Sequence, residues 1–297
     1  MRVAIFGANG YMGRHTCHYL SSQGIGCCGF DVQGSTVGED HFSSYKSCNV
    51  TDDLWWRSFN PLDYAAIFFL SGMSGPERSF KEASLYENVN VGGLLNLLQR
   101  MACLGANAPK IIFPSSRLVY KGGGVVTEDS PLEPRSVYAA NKVACEGLLS
   151  AYYHRYGLPF VALRICVPYG NLLSKEYSYG TLGFFMQQVR SGKPITVYGD
   201  GSLRKTYTHI GDICSIFYRV MMCREAQGIY NIGGYDYSLK EVAELVAQKN
   251  GGRIEFLAWP ESASRVEMGD ISLVASKLDG VIGAVQYKRM EDCVNEF

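Results

Sequence analysis

The sequence predicts an α/β fold in which helices cover both faces of a doubly wound parallel sheet, with a smaller lobe towards the C-terminus. Short apolar segments at 2–6, 110–113 and 161–164 have the composition of buried parallel strands. Helical patterns lie between such segments, which is typical of right-handed βαβ units. A glycine-rich turn follows the first segment directly and leads into the first helix.

Composition excludes several classes of protein. The chain has 297 residues, of which 47% are hydrophobic, so it can bury a full core, and no apolar stretch approaches the roughly 20 residues that span a membrane. The 28 basic and 28 acidic residues balance, which argues against nucleic acid or a membrane surface as a partner. The 10 cysteines lack the spacing of a metal site, so we expect reduced thiols and no metal. The first strand begins at Arg2, so we expect no signal peptide and a cytoplasmic protein.

The glycine-rich turn, GANGYMG at 7–13, joins the first strand to a helix. Free amides and the helix dipole at such a junction favour an anion. Gly7, Gly10 and Gly13 allow the backbone to approach a diphosphate and allow the helix to pack tightly on the strand. The turn therefore predicts a dinucleotide site, although its spacing is GxxGxxG rather than the GxGxxG common in dehydrogenases.

A second strand at 26–30 ends at Asp31. A carboxylate at this position accepts hydrogen bonds from the adenosine ribose and repels the 2′-phosphate of NADP. No arginine follows within 32–35. These residues favour NAD over NADP as the cofactor.

Tyr138 and Lys142 are one helical turn apart, so both side chains can reach one pocket. A free tyrosine has a pKa of about 10, and a neighbouring lysine cation lowers that pKa towards the range of a useful base. Ser116 closes the segment that begins with the strand at 110–113, and its hydroxyl can bind a substrate oxygen beside the phenol. The same Tyr/Lys spacing also occurs on solvated helix faces, so its interpretation depends on the other motifs.

In order and spacing, these motifs resemble the extended short-chain dehydrogenase/reductase family, specifically its NAD-dependent nucleotide-sugar epimerase/dehydratase branch, of the UDP-glucose 4-epimerase kind. The resemblance runs from Met1 to about Leu278. FPSSRLVY at 113–120 is similar to the family's SS-x-x-VYG, and TEDSPLEPRSVYAANKVACE at 127–146 is similar to its xExxPxxPxSxYxxSKxxxE. ITVYGDGSLRKTYTHIGD at 195–212 is similar to IxVYGDGxxxRDYxHVxD.

The resemblance implies a Rossmann-type sheet that binds NAD, with Ser116, Tyr138 and Lys142 as the catalytic residues. It also implies contacts between the cofactor and residues spread over the first half of the chain. The implied cofactor-binding residues are Gly7, Asn9, Gly10, Tyr11, Met12, Gly13, Asp31, Asn49, Val50, Leu70, Ser71, Gly72, Asn90, Tyr138, Lys142 and Val167.

On the substrate side the match is weaker. The implied substrate-binding residues are Ser74, Arg117, Asn171, Arg204, Lys205 and Arg265. Val167 stands where many members have asparagine, Asn171 replaces a proline, and Lys205-Thr206 replaces an Arg-Asp pair, so a phosphate contact falls to either Arg204 or Lys205. Arg265 is offset from the family's diphosphate-binding arginine, and Glu267 lies nearer that place.

The expected organisation is an NAD-binding Rossmann domain at 1–170 with a return at 207–229, and a mostly substrate-binding lobe at 171–297. We expect 171–181 to form a loop, 183–190 and 237–249 to form helices, and the nucleotide sugar to bind between the lobes. The resemblance also implies a homodimer through helices at 84–104 and 138–156. His209 is expected to have a structural role.

Three functions remain open at this point. In a nucleotide-sugar epimerase, Tyr138 would take the proton of a sugar hydroxyl while hydride passes to NAD and later returns to the other face. A nucleotide-ketosugar reductase would use the same residues with NAD(P)H in one direction. A catalytically silent NAD-sensing protein would keep the fold alone. A 4,6-dehydratase is disfavoured, because Arg117-Leu118 occupies the positions of that branch's Asp-Glu pair.

Overall fold

The computed structural model describes residues 1–36, 41–173 and 179–296, with 294 and 295 described by their backbone alone. Part of the predicted loop at 171–181, namely 174–178, lies outside the described residues. The strands are β1 (Arg2–Phe6), β2 (Gly26–Asp31), β3 (Ser44–Ser47), β4 (Ala66–Phe69), β5 (Lys110–Ser116), β6 (Gly124–Val126), β7 (Phe160–Ile165), β8 (Val167–Tyr169), β9 (Ile195–Tyr198), β10 (Arg204–His209), β11 (Gly228–Asn231), β12 (Tyr235–Ser238), β13 (Ile254–Leu257) and β14 (Ile271–Leu273).

Helices connect most of these strands. They are α1 (Tyr11–Ser22), α2 (Asp53–Ser58), α3 (Pro76–Lys81), α4 (Ala83–Glu87), α5 (Gly93–Met101), α6 (Val137–Tyr156), α7 (Gly180–Arg190), α8 (Ile210–Met222), α9 (Leu239–Asn250), α10 (Glu261–Val266) and α11 (Ser276–Ile282). Short 3₁₀ segments cover Pro61–Asp63, Ala102–Asn107, Arg117–Val119 and Glu291–Glu296, and a π-helical turn covers Asn88–Gly92.

The large sheet has seven strands in the order β11-β7-β5-β4-β1-β2-β3, and every pair in it is parallel. β1 lies between β2 and β4, so the direction in which strands are added reverses there. In a sheet of this kind, ligands bind outside the carboxyl ends of the strands at such a reversal. The α/β fold class with a doubly wound parallel sheet is therefore confirmed.

Helices pack on both faces of this sheet. In β1, Val3 and Ile5 pack into a cluster with α1 and α8, whereas Ala4 and Phe6 pack into a cluster on the opposite face with α5 and α6. All four residues are fully buried. Burial on both faces explains why the strand is continuously apolar rather than alternating.

The rest of the chain forms a smaller lobe. Its sheet has the order β12-β10-β14-β6, with β8 also beside β10, while β9 and β13 pair separately under α7 and α9. The helix expected at 237–249 is α9, which begins with a capping box between Ser238 and Glu241. The segment at 207–229 was expected to return to the Rossmann domain. Within it, α8 packs on α1 and β11 pairs with β7 of the large sheet, whereas Tyr207 lies in β10 of the small sheet.

The two helices expected at a dimer interface differ in regularity. α6 is one helix from Val137 to Tyr156, as expected. The segment at 84–104 is interrupted by the π-helical turn at Asn88–Gly92. α5 then begins at Gly93, where a Cβ would lie 2.7 Å from Val50 Cγ2, so glycine allows the helix to approach that side chain. In the described ranges, no helix is long and apolar enough to cross a membrane.

Candidate active site

The glycine turn brings three backbone segments unusually close together. Gly7 has φ +80°, and a Cβ there would lie 2.6 Å from Ser71 N in the segment after β4. A Cβ on Gly13 would lie 2.1 Å from Gly7 O, so α1 can approach β1 only with glycine at this position. Because the N-terminus of α1 faces this turn, the site suits the diphosphate of a dinucleotide.

Asp31 lies beside this turn, at the end of β2. Its Oδ2 accepts a hydrogen bond from the Asn9 amide at 3.0 Å. The Asn9 side chain in turn donates to Gln33 Oε1, Ser35 O and Tyr45 OH. These bonds hold the carboxylate where the second strand meets the glycine turn, as expected for a residue that binds an adenosine ribose.

Asn49 and Val50 follow β3 on the same edge of the sheet. Val50 is buried, whereas Asn49 is exposed and its Oδ1 accepts hydrogen bonds from the Thr51 amide and hydroxyl. Asn49 thus has the geometry of an Asx turn, and the amide of the preceding residue, Cys48, donates to Asp31 O at 2.7 Å.

Asn90 has a different position from the one expected of a direct cofactor contact. It is 4% exposed, its Oδ1 accepts from the Met73 amide at 2.7 Å, and its Nδ2 donates to Met73 O at 3.1 Å. The side chain therefore holds the segment Leu70–Ser71–Gly72–Met73, which forms the edge of the site. Gly72 passes close by, since a Cβ on it would lie 3.0 Å from Asn90 Oδ1.

A cavity of about 270 Å³ joins these elements to the Tyr/Lys pair. It lies at the carboxyl ends of β1, β4 and β5, where the sheet topology predicts a ligand. Its lining residues are Gly7, Gly10, Tyr11, Met12, Gly13, Leu70, Gly72, Met73, Ser74, Pro114, Ser115, Tyr138, Lys142 and Tyr179.

The cavity includes four residues that the sequence analysis did not name. Met73, Pro114 and Ser115 lie within two residues of predicted site residues in the chain, so the motifs already pointed to their segments. Tyr179 comes from the smaller lobe, and its ring stacks on Tyr11 with a centroid distance of 4.2 Å and an interplanar angle of 2°. No local pattern signals this contact, because it joins two segments that are far apart in sequence.

Tyr138 is a neutral phenol in this structure. Burial raises its pKa to about 12, and a hydrogen bond with Ser116 and the charge of Arg117 only partly oppose that rise. Lys142 does not point at the phenol oxygen, because its Nζ donates to Pro114 O at 2.6 Å and lies 5.7 Å from the Tyr138 ring centroid. The expectation that Lys142 lowers the phenol's pKa is therefore not met in this state, since burial dominates.

Burial also affects the lysine. It lowers the pKa of Lys142 to about 8, against the opposing charges of Cys145 and Glu146. The side chain is 7% exposed and lies over the Phe113 ring at 4.4 Å from the centroid. Lys142 therefore keeps a cation at the base of the cavity at neutral pH, but holds that proton less firmly than a solvated lysine.

A buried ion pair fixes α6 behind the reactive groups. Arg164 Nη2 lies 2.7 Å from Glu146 Oε2, one turn after Lys142, and the side chains of both ion-pair residues are 4% exposed. Glu146 Oε1 also accepts from Ser115 Oγ at 2.6 Å. Because Ser115 precedes Ser116 in β5, this network sets the helix that carries Tyr138 against the strand that carries its partner serine.

The predicted substrate residues separate into two groups. Ser74 lines the first cavity, and Lys205 lines a second cavity of about 320 Å³ in the smaller lobe. Lys205 also pairs with Glu267 at 3.0 Å. The second cavity is lined by Gly180, Thr181, Phe184, Phe185, Thr196, Val197, Tyr198, Lys205, Leu239 and Trp259.

The other four predicted substrate residues lie outside the described linings of both cavities: Arg117, Asn171, Arg204 and Arg265. Arg204 pairs with Glu241 at 2.9 Å, and Arg265 pairs with Glu261 on the exposed surface of α10. Of the two candidates for the phosphate contact, Lys205 is therefore the better placed. Alternation along β10 explains this, since neighbouring residues of a strand point to opposite faces.

Asn171 belongs to a separate polar cluster. Its Oδ1 lies 3.0 Å from His15 Nε2, and its backbone amide donates a hydrogen bond to Glu296 Oε2 at 2.9 Å. Val167 is in β8 and pairs with Tyr207 of β10, at the junction between the two sheets.

His209 has the structural role expected for it. Its Nδ1 accepts from the Gly211 amide at 3.1 Å and so caps α8, while its Nε2 lies 2.7 Å from Glu296 Oε2. With Cys293, His209 and Glu296 form a cluster of possible metal ligands, because one ligand atom from each lies within 4.8 Å of the others. However, with Nδ1 accepting, Nε2 carries the proton, and a metal at Nε2 needs the opposite tautomer.

Comparison with known proteins agrees with this site. The model of the NAD dependent epimerase/dehydratase family matches residues 3–233. A relative described as dTDP-D-glucose 4,6-dehydratase, from Dictyostelium discoideum, is 25% identical over 271 residues, which cover 82% of this chain and 61% of the relative. UDP-glucuronate 4-epimerase 5 of Arabidopsis thaliana is 29% identical over 234 residues, 72% of this chain and 52% of the relative. The chain thus spans between half and two thirds of the length of these two relatives.

A solved structure gives a comparison over the full length. UDP-glucose 4-epimerase of Thermus thermophilus, in a complex with NAD, superposes with a TM-score of 0.83 and 25% identity, covering 100% of this chain and 98% of that one. The glycine cradle and Asp31 fit the same dinucleotide, and NAD is the cofactor. The chain belongs to the NAD-dependent epimerase/dehydratase family.

Proposed function

We propose that this protein is an epimerase that acts on a nucleotide-activated sugar. The observation that carries the proposal is that Tyr138 and Lys142 line the same cavity as the glycine turn. A proton acceptor for a sugar hydroxyl therefore lies next to the cofactor. UDP-glucose and UDP-glucuronate, which the compared epimerases are named for, are the first substrates to test.

Tyr138 would take the proton of the sugar hydroxyl, and Ser116 would share the hydrogen bond to the same oxygen. When bound, oxidised NAD supplies a positive charge and a hydride acceptor that later returns the hydride to the sugar. Because burial raises the pKa of Tyr138 to about 12 in this structure, the base needs added positive charge nearby before it can act at neutral pH. Lys142 would supply part of that charge and hold the nicotinamide ribose.

Two observations favour epimerisation over dehydration. Eliminating a sugar hydroxyl requires an acid to protonate the leaving group. Arg117-Leu118 follows Ser116, and the described lining of the first cavity contains no aspartate or glutamate. The compared dehydratase therefore shares the fold, but this chain has no carboxyl group at the two positions where that branch carries its acid pair.

The second cavity suits the nucleotide end of the substrate. Phe184, Tyr198 and Trp259 provide aromatic surfaces for a base, and Lys205 provides a cation for a phosphate. Lys205 is 7% exposed, so its charge acts in a poorly solvated setting. A sugar nucleotide would then extend from this cavity to Tyr138 in the first.

We also propose that the protein is cytoplasmic and forms a homodimer. All ten cysteines are free thiols in the described residues, as in a reducing compartment. The outer face of α6 exposes Ala140, Ala144 and Gly147, and α4 exposes Leu85 beside it, which allows a second copy's helices to approach closely. Light scattering that gives the mass of one chain would contradict the dimer.

The function is tested by measuring whether hydride transfer leaves the cofactor unchanged or consumes it. An epimerase interconverts two sugar nucleotides with no added NAD and no net change in the absorbance of reduced nicotinamide. A panel of UDP-, dTDP-, GDP- and CDP-sugars analysed by chromatography supplies this readout. Steady consumption of NAD(P)H with a ketosugar, without any interconversion, would instead identify a reductase.

A further inference from the structure

Arg117 has a buried guanidinium nitrogen whose hydrogen-bonding capacity is unused. The residue follows Ser116 in the 3₁₀ turn Arg117–Val119, and its Nη1 is buried without a hydrogen-bond partner among the described residues. Two buried cations near it are paired: Arg164 with Glu146, and Lys205 with Glu267. Within the described ranges, Arg117 differs from these neighbours in having no carboxylate of its own.

An unpaired guanidinium nitrogen at this depth is costly. A buried donor without a partner loses its bonds to water and gains nothing in return, and the loss is larger for a charged group than for a neutral one. Such a group calls for a partner, which an ordered water or a ligand can supply. A guanidinium matches a carboxylate or a phosphate best, because its N–H groups form a planar fork.

Arg117 is in neither described cavity lining, but its charge acts on a residue of each cavity. Its charge opposes the burial that raises the pKa of Tyr138, which lines the first cavity. The same charge adds to the burial that lowers the pKa of Lys205, which lines the second. With Lys205, it also outweighs burial at Glu267 and lowers the pKa of that carboxyl. Arg117, Lys205 and Glu267 together carry one net positive charge.

We propose that Arg117 binds an acidic group on the sugar itself, so that the substrate is a nucleotide-linked sugar acid. This inference rests on the proposed function, in which the sugar lies between Tyr138 and Lys205. Arg117 directly follows Ser116, and its charge acts on the Tyr138 phenol, so we place its guanidinium at the reacting end of the substrate. Lys205, at the nucleotide end, is the nearer cation for a diphosphate. A carboxylate next to the reacting carbon would complete the pairing of Arg117.

The test compares matched pairs of ligands, in which one member carries a carboxylate on the sugar and the other does not. UDP-glucose and UDP-glucuronate, and the same pair linked to dTDP, are titrated calorimetrically into the NAD-bound protein. The unchanged protein should bind the glucuronate member of one pair at least about tenfold more tightly, as a charge-assisted hydrogen bond predicts. Equal binding of both members would overturn the inference without a variant.

Arg117→Met then removes the charge while keeping most of the volume, and Arg117→Lys keeps the charge without the fork. Arg117→Met should weaken glucuronate binding by at least about tenfold more than glucose binding, and Arg117→Lys should restore part of that difference. An equal loss for both members would assign Arg117 to the diphosphate and overturn the sugar-acid proposal. If no sugar nucleotide binds at all, the proposed function itself fails. Thermal unfolding with NAD present checks that each variant is folded.

Discussion

The ammonium of Lys142 donates its hydrogen bond to the carbonyl of Pro114, two residues before Ser116, and not to the phenol of Tyr138. The lysine thereby ties α6 to the end of β5, which is where the reactive serine leaves the strand. In this geometry Lys142 fixes these two elements and keeps a positive charge beside the cavity. The phenol's proton affinity is then set mainly by burial and by what occupies the cavity.

Replacing Tyr138 with phenylalanine tests its role as the base. Tyr138→Phe should lower kcat by about 10²–10⁴-fold, the usual contribution of a general base, and leave NAD affinity nearly unchanged because the ring remains. Tyr152→Phe, on the same helix and outside the described lining of the cavity, is the matched control and should keep turnover. Turnover of Tyr138→Phe close to that of the unchanged protein would rule out the assigned base.

The depressed pKa of Lys142 predicts a dependence of stability on pH. Burial lowers this pKa from 10.5 to about 8, so between these values the unfolded chain binds more protons than the folded one. The free energy of unfolding, measured without NAD, should therefore gain roughly 1–3 kcal/mol from Lys142 as pH rises from about 8 to 10. As pH falls, the loss should occur between about 10 and 8, and Lys142 should change the free energy of unfolding little below 8.

Lys142→Met is the comparison for this measurement, because it keeps a chain of similar length without the charge. Urea unfolding at several values of pH should give a curve for Lys142→Met that lacks the rise. Parallel curves for the two proteins would contradict the effect. Burial raises the pKa of Tyr138 to about 12, so this residue should lower the free energy of unfolding with rising pH, but only above the ordinary tyrosine pKa of 10.

Cofactor choice should depend on the charge of Asp31. Isothermal titration of the unchanged protein should give tighter binding of NAD than of NADP, and Asp31→Ala should narrow the difference by about tenfold, or about 1.4 kcal/mol. Asp31→Asn keeps an oxygen for the Asn9 amide and removes the charge, so it separates repulsion of the phosphate from support of the turn. NADP binding as tight as NAD binding in the unchanged protein would overturn the assignment.

Gly13 and Gly280 form a matched pair of glycine substitutions. A Cβ at Gly13 would lie 2.1 Å from Gly7 O, so Gly13→Ala must push α1 away from the turn and should cost about 1–3 kcal/mol of stability together with most NAD affinity. Gly280, in α11, has nothing within 4 Å of the same position. Gly280→Ala should change stability by at most about 1 kcal/mol, in the favourable direction. Thermal unfolding and NAD titration of both variants provide the measurement.

Residues whose roles depend on local sequence were the ones that could be predicted. Gly7 and Gly13 are needed because a strand turns directly into a helix, and Tyr138 and Lys142 reach one cavity because they are one turn apart. Both requirements are expressed within a few consecutive residues. The strand predicted at 110–113, by contrast, continues three residues beyond its predicted end, to Ser116.

Contacts between distant segments could not be predicted in the same way. Arg204 and Lys205 are adjacent, and only the small sheet determines that Lys205 faces the second cavity while Arg204 pairs with Glu241 on the surface. Asn90 lies in a recognisable motif, yet its amide group holds Met73. The raised pKa of Tyr138 was also missed, because the sequence shows a nearby lysine but not the burial that outweighs it.

The stack of Tyr11 on Tyr179 has a consequence for how long a cofactor stays bound. Tyr11 begins the helix at the diphosphate turn and also donates to Gly170 O at 2.8 Å, while Tyr179 precedes the first helix of the smaller lobe. The two lobes therefore meet across the mouth of the first cavity, and separating them there requires breaking both contacts. We therefore expect the residence time of the cofactor to depend on the opening of these contacts, and an enzyme that returns its hydride in every cycle can retain one dinucleotide through many turnovers.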